Sequence, residues 1–279
     1  MMSSKIQYQS LAQKDDTHPL RSILNPYRTQ HILTESPPVP TYLDLKPLLS
    51  KNRQAETITA LTLSDVLTPQ ECQAMIQRTE FLGYDVALVN VGGTGAGAGA
   101  GIHMPGYRDG KRCIVDDVQF VRELWERVKA HIPPVWEGRP VVGMNERLRF
   151  LKYHPGDQFA PHMDGEYRRT DGSGDVTKIT IQFYLNGGEK DGDDGLKGGE
   201  TSFLNELSFG RLTGVGSMAK KGRKAEEEKE VERVAVACRT GQALIFQHDL
   251  VHEGSRVVEG VKYVVRGDIL YGPRPTFVR

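Results

Sequence analysis

Four runs in the second half of the chain, TKITIQFYLN, VERVAVAC, QALIFQHDL and KYVVRGDILY, are rich in β-branched residues and separated by glycine-rich turns. Side chains on a strand alternate between two faces, and TKITIQFYLN carries that period of two, while the other three runs are apolar and β-branched enough for sheet. Many short strands joined by such turns predict a mainly β domain with flanking helices, built as a double-sheet jelly roll. Thr68-Pro69-Gln70-Glu71 predicts the start of one helix, because Thr68 can cap, Pro69 fits the first helical position and Glu71 completes a capping box. Cys72, Met75, Ile76 and Thr79 follow at helical spacing, and Gly83 ends the helix. Asp116 and Asp117 open a second helix, with Val118, Val121, Leu124, Trp125 and Val128 on one face and Pro133-Pro134 as its stop.

With 279 residues the chain can bury one sizeable core, or form one domain with an extension. Residues 1–56 are polar and carry Pro26, Pro37, Pro38 and Pro40 without a sustained period, so they read as an irregular N-terminal arm, either wrapping the domain through a short apolar contact of YLDLKPLLS or left as a disordered tail, and residues 57–279 as the domain. A strand is expected within residues 57–66. Thirty-six basic and 36 acidic residues cancel, leaving no electrostatic footprint for nucleic acid or for an anionic membrane surface. Three widely spaced cysteines suggest neither a disulfide framework nor a zinc site, and the N-terminus lacks an apolar signal region, so the expected location is the cytoplasm.

The chemistry concentrates in NERLRFLKYHPGDQFAPHMD, which ends in His162-Met163-Asp164. Residues two apart on an extended chain project to one side, so an imidazole and a carboxylate meet at one spot. Two histidines and a carboxylate on one face of a metal are the usual ligand set of non-haem Fe(II) oxygenases, and the third ligand must come from elsewhere in the chain. Far downstream, His252 precedes a β-rich run in which Lys262 and Arg266 share a strand face, about 13 Å apart at roughly 3.3 Å per residue. A small diacid cannot normally engage both.

Taken with Gly198-Gly199-Glu200-Thr201 between them, His162, Asp164, His252 and Lys262 give residues 67–271 a pattern that resembles the prolyl 4-hydroxylase-like branch of the Fe(II)/2-oxoglutarate dioxygenases. The resemblance implies a double-stranded β-helix of cupin-like type, with Fe(II) held by His162, Asp164 and His252, and 2-oxoglutarate and dioxygen as co-substrates. A basic residue about ten positions beyond the distal histidine holds the far carboxylate of 2-oxoglutarate in that family, and Lys262 falls there. Arg266 stays in play, since related oxygenases place the anchor nearer fourteen positions on. Tyr153, nine positions before His162, would line the same pocket. His248 is the nearest rival for the distal ligand. The activity implied is oxidation, most simply hydroxylation, of an unactivated C–H with release of succinate and carbon dioxide. A small molecule such as an amino acid is the favoured substrate, and a prolyl peptide is the alternative.

Arg108, Arg112 and Arg149 are candidate substrate contacts, because guanidinium presents a planar fork to a carboxylate. Surface exposure for the first two, and an internal ion pair for Arg149, are the competing readings. The glycine-alanine stretch at 92–106 lacks the lysine and hydroxyl of a phosphate loop and reads as a mobile cover over the cleft. The acidic loop NGGEKDGDDGLKGGE lacks calcium-loop spacing, and KKGRKAEEEKEVE reads as a solvated insertion. Two other classes compete with the oxygenase: a hydrolase using the same ligands to hold zinc, and a catalytically silent jelly-roll binding module.

Overall fold

The computed structural model describes residues 20, 23–24, 26–35, 37–49, 58–89, 101–187, 195–205 and 232–275. A major sheet runs in the order β1 (Pro40–Tyr42), β2 (Ala60–Leu63), β13 (Ala243–Gln247), β9 (Val176–Tyr184), β16 (Lys262–Tyr271), β7 (Arg147–Tyr153), β4 (Lys111–Asp116) and β3 (Asp85–Val86). β6 (Arg139–Met144) pairs with the far end of β16, and β5 (Val135–Trp136) pairs with β6. The minor sheet is β12 (Arg233–Val236), β11 (Thr201–Leu204), β14 (His252–Gly254) and β8 (Phe159–His162), and β10 (Lys197–Gly198) pairs with β15 (Val257–Glu259). Pairing between these strands is antiparallel throughout, and the two sheets make the expected double-stranded β-helix.

Strand parity sorts the core into two layers. In β7, Leu148 and Phe150 join a cluster with the helices on the outer face of the major sheet, while Leu151 and Tyr153 join a cluster facing the minor sheet. β13 divides the same way, with Ala243 and Ile245 outside and Leu244 and Phe246 inside. Central strands covered on both faces read as near-continuous apolar runs, which is why QALIFQ and KYVV were legible. By the same alternation Lys262, Val264, Arg266 and Asp268 share the inner face of β16.

Helix α2 (Pro69–Leu82) starts as its residues dictate: the Thr68 side chain accepts from Glu71 N, the Glu71 side chain accepts from Thr68 N, and Gly83 closes the helix with φ of 89°. Helix α3 (Val118–Val128) is capped by Asp117, whose side chain accepts from Gln119 N and Phe120 N. Here the expected stripe needs correction. Val118 is exposed and Phe120 is buried in its place, because the helix begins one residue later than the two aspartates imply and Asp116 ends β4, paired to Arg147 at 2.8 Å.

The irregular-arm expectation for 1–56 also meets a difference. Helix α1 (Pro26–Glu35), strand β1 and a short 3-10 turn at Lys46–Leu48 lie within it. Leu24 and Ile32 are buried from α1 and its approach, and Leu45 and Leu48 enter the inner cluster. The segment has no period of its own because its apolar residues pack one or two at a time on a surface made by the rest of the chain.

One buried charge cluster joins these helices. Arg127 and Glu71 pair at 2.9 Å through both guanidinium nitrogens with no side-chain exposure, and Arg127 also donates to Val66 O and to Thr29 Oγ1, which in turn donates to Glu123. Removing one member of such a pair strands the other in a low dielectric. Arg127→Met is therefore expected to destabilise the protein by about 3–5 kcal/mol, and adding Glu71→Gln should cost less than the two single changes together. Chemical denaturation of the two single variants and the double variant measures this; a loss under about 1 kcal/mol for Arg127→Met would mean the pair is dispensable.

Candidate metal centre and its cleft

β8 and β14 pair so that His162 and His252 stand opposite one another across the antiparallel ladder. Asp164 lies two residues past His162, and its backbone N–H donates to His248 O at 2.9 Å, which brings the carboxylate back under the two rings. One nitrogen or oxygen from each of His162, Asp164 and His252 falls within 4.8 Å of the others. His162 Nε2 is 3.9 Å from Asp164 Oδ1, and His252 Nε2 is 3.8 Å from Asp164 Oδ2. Those separations are too long for hydrogen bonds.

The donor set fits Fe(II). Nδ1 of His162 sits 2.8 Å from Ala160 O and Nδ1 of His252 2.9 Å from Leu250 O. A carbonyl only accepts, so each Nδ1 carries the proton and each Nε2 keeps a lone pair for the metal. Burial, and then the neighbouring His252, push the His162 pKa well below its ordinary value, and burial lowers that of His252, so both rings are neutral and able to ligate. Burial favours the protonated form of Asp164, but the neighbouring guanidinium of Arg266 outweighs it and holds the carboxyl below the usual range. Two imidazoles and one carboxylate, without thiolate, suit iron of this kind. His248, the rival, stands apart: its Nε2 is 3.6 Å from Asp268, and it does not join the group.

Both oxygens of Asp164 are fixed. Thr180 Oγ1 donates to Oδ2 at 2.5 Å and Arg266 Nη2 lies 3.0 Å from Oδ1. Arg266 also contacts Asp268 at 3.2 Å, and Asp268 pairs with Arg149 at 2.9 Å, giving a row of alternating charge along the inner face. Thr180 was missed in the sequence; the only signal was its place on β9, where its parity puts it with Gln182 and Tyr184 on the inner face.

A cleft opens beside the triad, lined among others by Tyr153, Lys262, Arg266, Arg108 and Phe159. Lys262 is buried opposite Tyr153 in the β16–β7 register, its Nζ 5.6 Å from the centroid of the Tyr153 ring and 5.7 Å from that of Tyr184. Its hydrogen bond is to Gly199 O at 2.5 Å, and among the described residues no carboxylate lies within ion-pair distance of it. Gly199, with φ of 75°, explains why the GGET turn needs glycine: a Cβ there would sit 3.1 Å from Val257 and 3.2 Å from the Lys262 side chain.

The three arginines divide. Arg108 lines the cleft, with its guanidinium 4.6 Å from the centroid of the Phe159 ring. Arg149 does not line it and instead forms the internal ion pair with Asp268; the strand parity was right, but the partner lies 119 residues away in sequence. Arg112 also lies outside the lining, on β4, with its Nη1 3.5 Å from Leu88 O. Residues 90–100, most of the expected mobile cover, and the charged run at 220–231 lie outside the described residues, as do residues 188–194 of the acidic loop. Among the described residues no helix is long and apolar enough to cross a membrane.

A β-helix that mounts two neutral imidazoles and an ionised carboxylate beside a cleft presents a ligand set of the kind that holds a mononuclear non-haem metal. Residues 148–267 match the family model of the 2OG-Fe(II) oxygenase superfamily, whose enzymes use Fe(II), 2-oxoglutarate and dioxygen. No curated protein matches the sequence significantly. Similar solved structures include a viral collagen prolyl hydroxylase from Paramecium Bursaria Chlorella virus-1, at 15% identity over 77% of this chain and 97% of that one, with a TM-score of 0.47. A prolyl-4-hydroxylase from Pseudomonas putida is 13% identical over 79% of this chain and 95% of its own, with a TM-score of 0.46. The non-heme alpha ketoglutarate dependent epimerase SnoN from nogalamycin biosynthesis is 15% identical over 80% of this chain and 84% of its own, at 0.44.

Proposed function

We propose that this chain is a prolyl 4-hydroxylase-like oxygenase that hydroxylates an unactivated C–H of a small molecule. The observation that carries the reading is Lys262, a buried cation with no carboxylate partner among the described residues, in the same cleft as the triad. A buried ammonium without a counter-ion is costly, and the far carboxylate of 2-oxoglutarate would supply one. His162, Asp164 and His252 would hold the iron, which when bound supplies the oxidising chemistry that turns 2-oxoglutarate and dioxygen into succinate, carbon dioxide and an oxidised product. Tyr153 walls the co-substrate pocket; burial raises its pKa, so it stays a neutral donor beside the lysine. Arg266 keeps Asp164 ionised, and the two Nδ1 bonds fix the planes of the rings. We assign the oxygenase domain to residues 57–279, with the preceding segment packed upon it.

Purified protein given Fe(II) and 2-oxoglutarate is expected to form succinate, and a chelator should stop it. Metal-dependent hydrolysis without succinate would replace the oxygenase with the zinc hydrolase.

A further inference from the structure

We infer that the primary substrate carries a carboxylate and that Arg108 receives it, an inference that rests on the oxygenase reading and names its substrate class. The argument begins from the charges that line the cleft. Arg266 is matched by Asp164 and Asp268, and Glu253 by Arg233 at 3.2 Å. Lys262 is matched by 2-oxoglutarate under the proposed function. Arg108 is left over. It is more than nine-tenths buried, and among the described residues no carboxylate lies within ion-pair distance.

Its hydrogen bonding is as incomplete as its charge balance. Nη1 donates to Leu88 O at 3.0 Å, whereas Nε is closed off from water with no acceptor. Among the described residues the Nε and Nη2 edge, the side of the fork that can pair with two coplanar oxygens, has no acceptor. Burial lowers the pKa of this guanidinium from its ordinary value, the direction expected of a cation short of an anion. A carboxylate satisfies both deficits with one group.

The position of Arg108 sets the scale of the substrate. A backbone bridge fixes Arg108 against Phe159, and the guanidinium lies 4.6 Å from the ring centroid. The Phe159 ring is stacked on the His162 ring at 3.6 Å. An anion on Arg108 and a C–H presented beside His162 are thus separated by little more than an aromatic ring, a span that a molecule of amino-acid size covers.

The test measures succinate released from 2-oxoglutarate by the Fe(II)-loaded enzyme with free L-amino acids, their C-terminal amides, and phosphate monoesters of similar size. At least one acid should stimulate release at about 10-fold lower concentration, or lower still, than its amide. Arg108→Gln should raise the concentration of that acid required by about 10- to 100-fold and narrow the gap between acid and amide. Arg108→Lys, which restores a charge without the fork, should recover part of the preference. The inference is overturned if no acid outperforms its amide, if the preference survives in Arg108→Gln, or if phosphate monoesters outperform the acids. Wild-type succinate release without any addition separates the two readings: if Fe(II)-dependent succinate never forms, the oxygenase falls and this inference with it, whereas succinate without acid preference removes only the inference.

Discussion

Asp164→Asn is expected to abolish iron-dependent succinate formation, a loss on the order of 1,000-fold or about 4 kcal/mol, while the protein stays folded. The amide keeps the shape of the side chain but removes the charge that the two neutral imidazoles cannot supply. Arg266 keeps Asp268 as a partner, so the substitution does not strand a buried cation. His252→Ala should remove activity as completely but at a cost in stability, because the His252 ring is buried and packs on Phe246 at 4.6 Å. Iron stoichiometry after loading, succinate yield and thermal unfolding measured on both variants check this. An Asp164→Asn protein that binds iron and turns over like the wild type would remove the triad from the mechanism.

Lys262→Met should raise the 2-oxoglutarate requirement by about 10- to 100-fold, the equivalent of the 1.5 to 3 kcal/mol of a charge-assisted contact. Methionine preserves the apolar stem against Tyr153 and Tyr184, so packing is nearly unchanged. Arg266→Gln should instead raise the iron requirement, since the partner of Arg266 is the carboxylate ligand. The two titrations, one in 2-oxoglutarate and one in Fe(II), thus separate residues that sequence spacing left as rivals. If Arg266→Gln moves the co-substrate curve and Lys262→Met leaves it in place, the anchor is Arg266.

The parts of the structure that the sequence made legible are those whose signal is local. β9 alternates, β13 and β16 are apolar and β-branched, and α2 announces its own start through Thr68, Pro69 and Glu71. The His-x-Asp pair is readable because residues two apart on a strand share a face, and the distal histidine only through the resemblance to the family. What escaped depends on partners distant in sequence. β4 and β6 were not expected, since KRCIVD follows a glycine-rich stretch that reads as loop and RPVVGM lies between prolines and a glycine. Arg149 was assigned to the correct face with the wrong partner, because nothing near it indicates Asp268. Arg108 gives no sign in sequence of the Phe159 ring beneath it or of the missing acceptor at Nε.

The short strand β1 has a consequence beyond its three residues. It lies along β2, whose four residues Ala60, Leu61, Thr62 and Leu63 are all buried, and so it occupies the outer margin of the major sheet. β1 begins with Pro40, which has no N–H to offer a further strand, and ends with the exposed Tyr42. Pro40 thereby removes one of the donors through which the margin of the sheet could recruit another copy of the chain. Without β1, the ALTL strand would present open backbone donors and acceptors flanked by leucine, which is a template for strand addition and aggregation. Strand β1 therefore covers an edge as well as adding packing, and the described residues before position 57 belong to the same sheet as those after it.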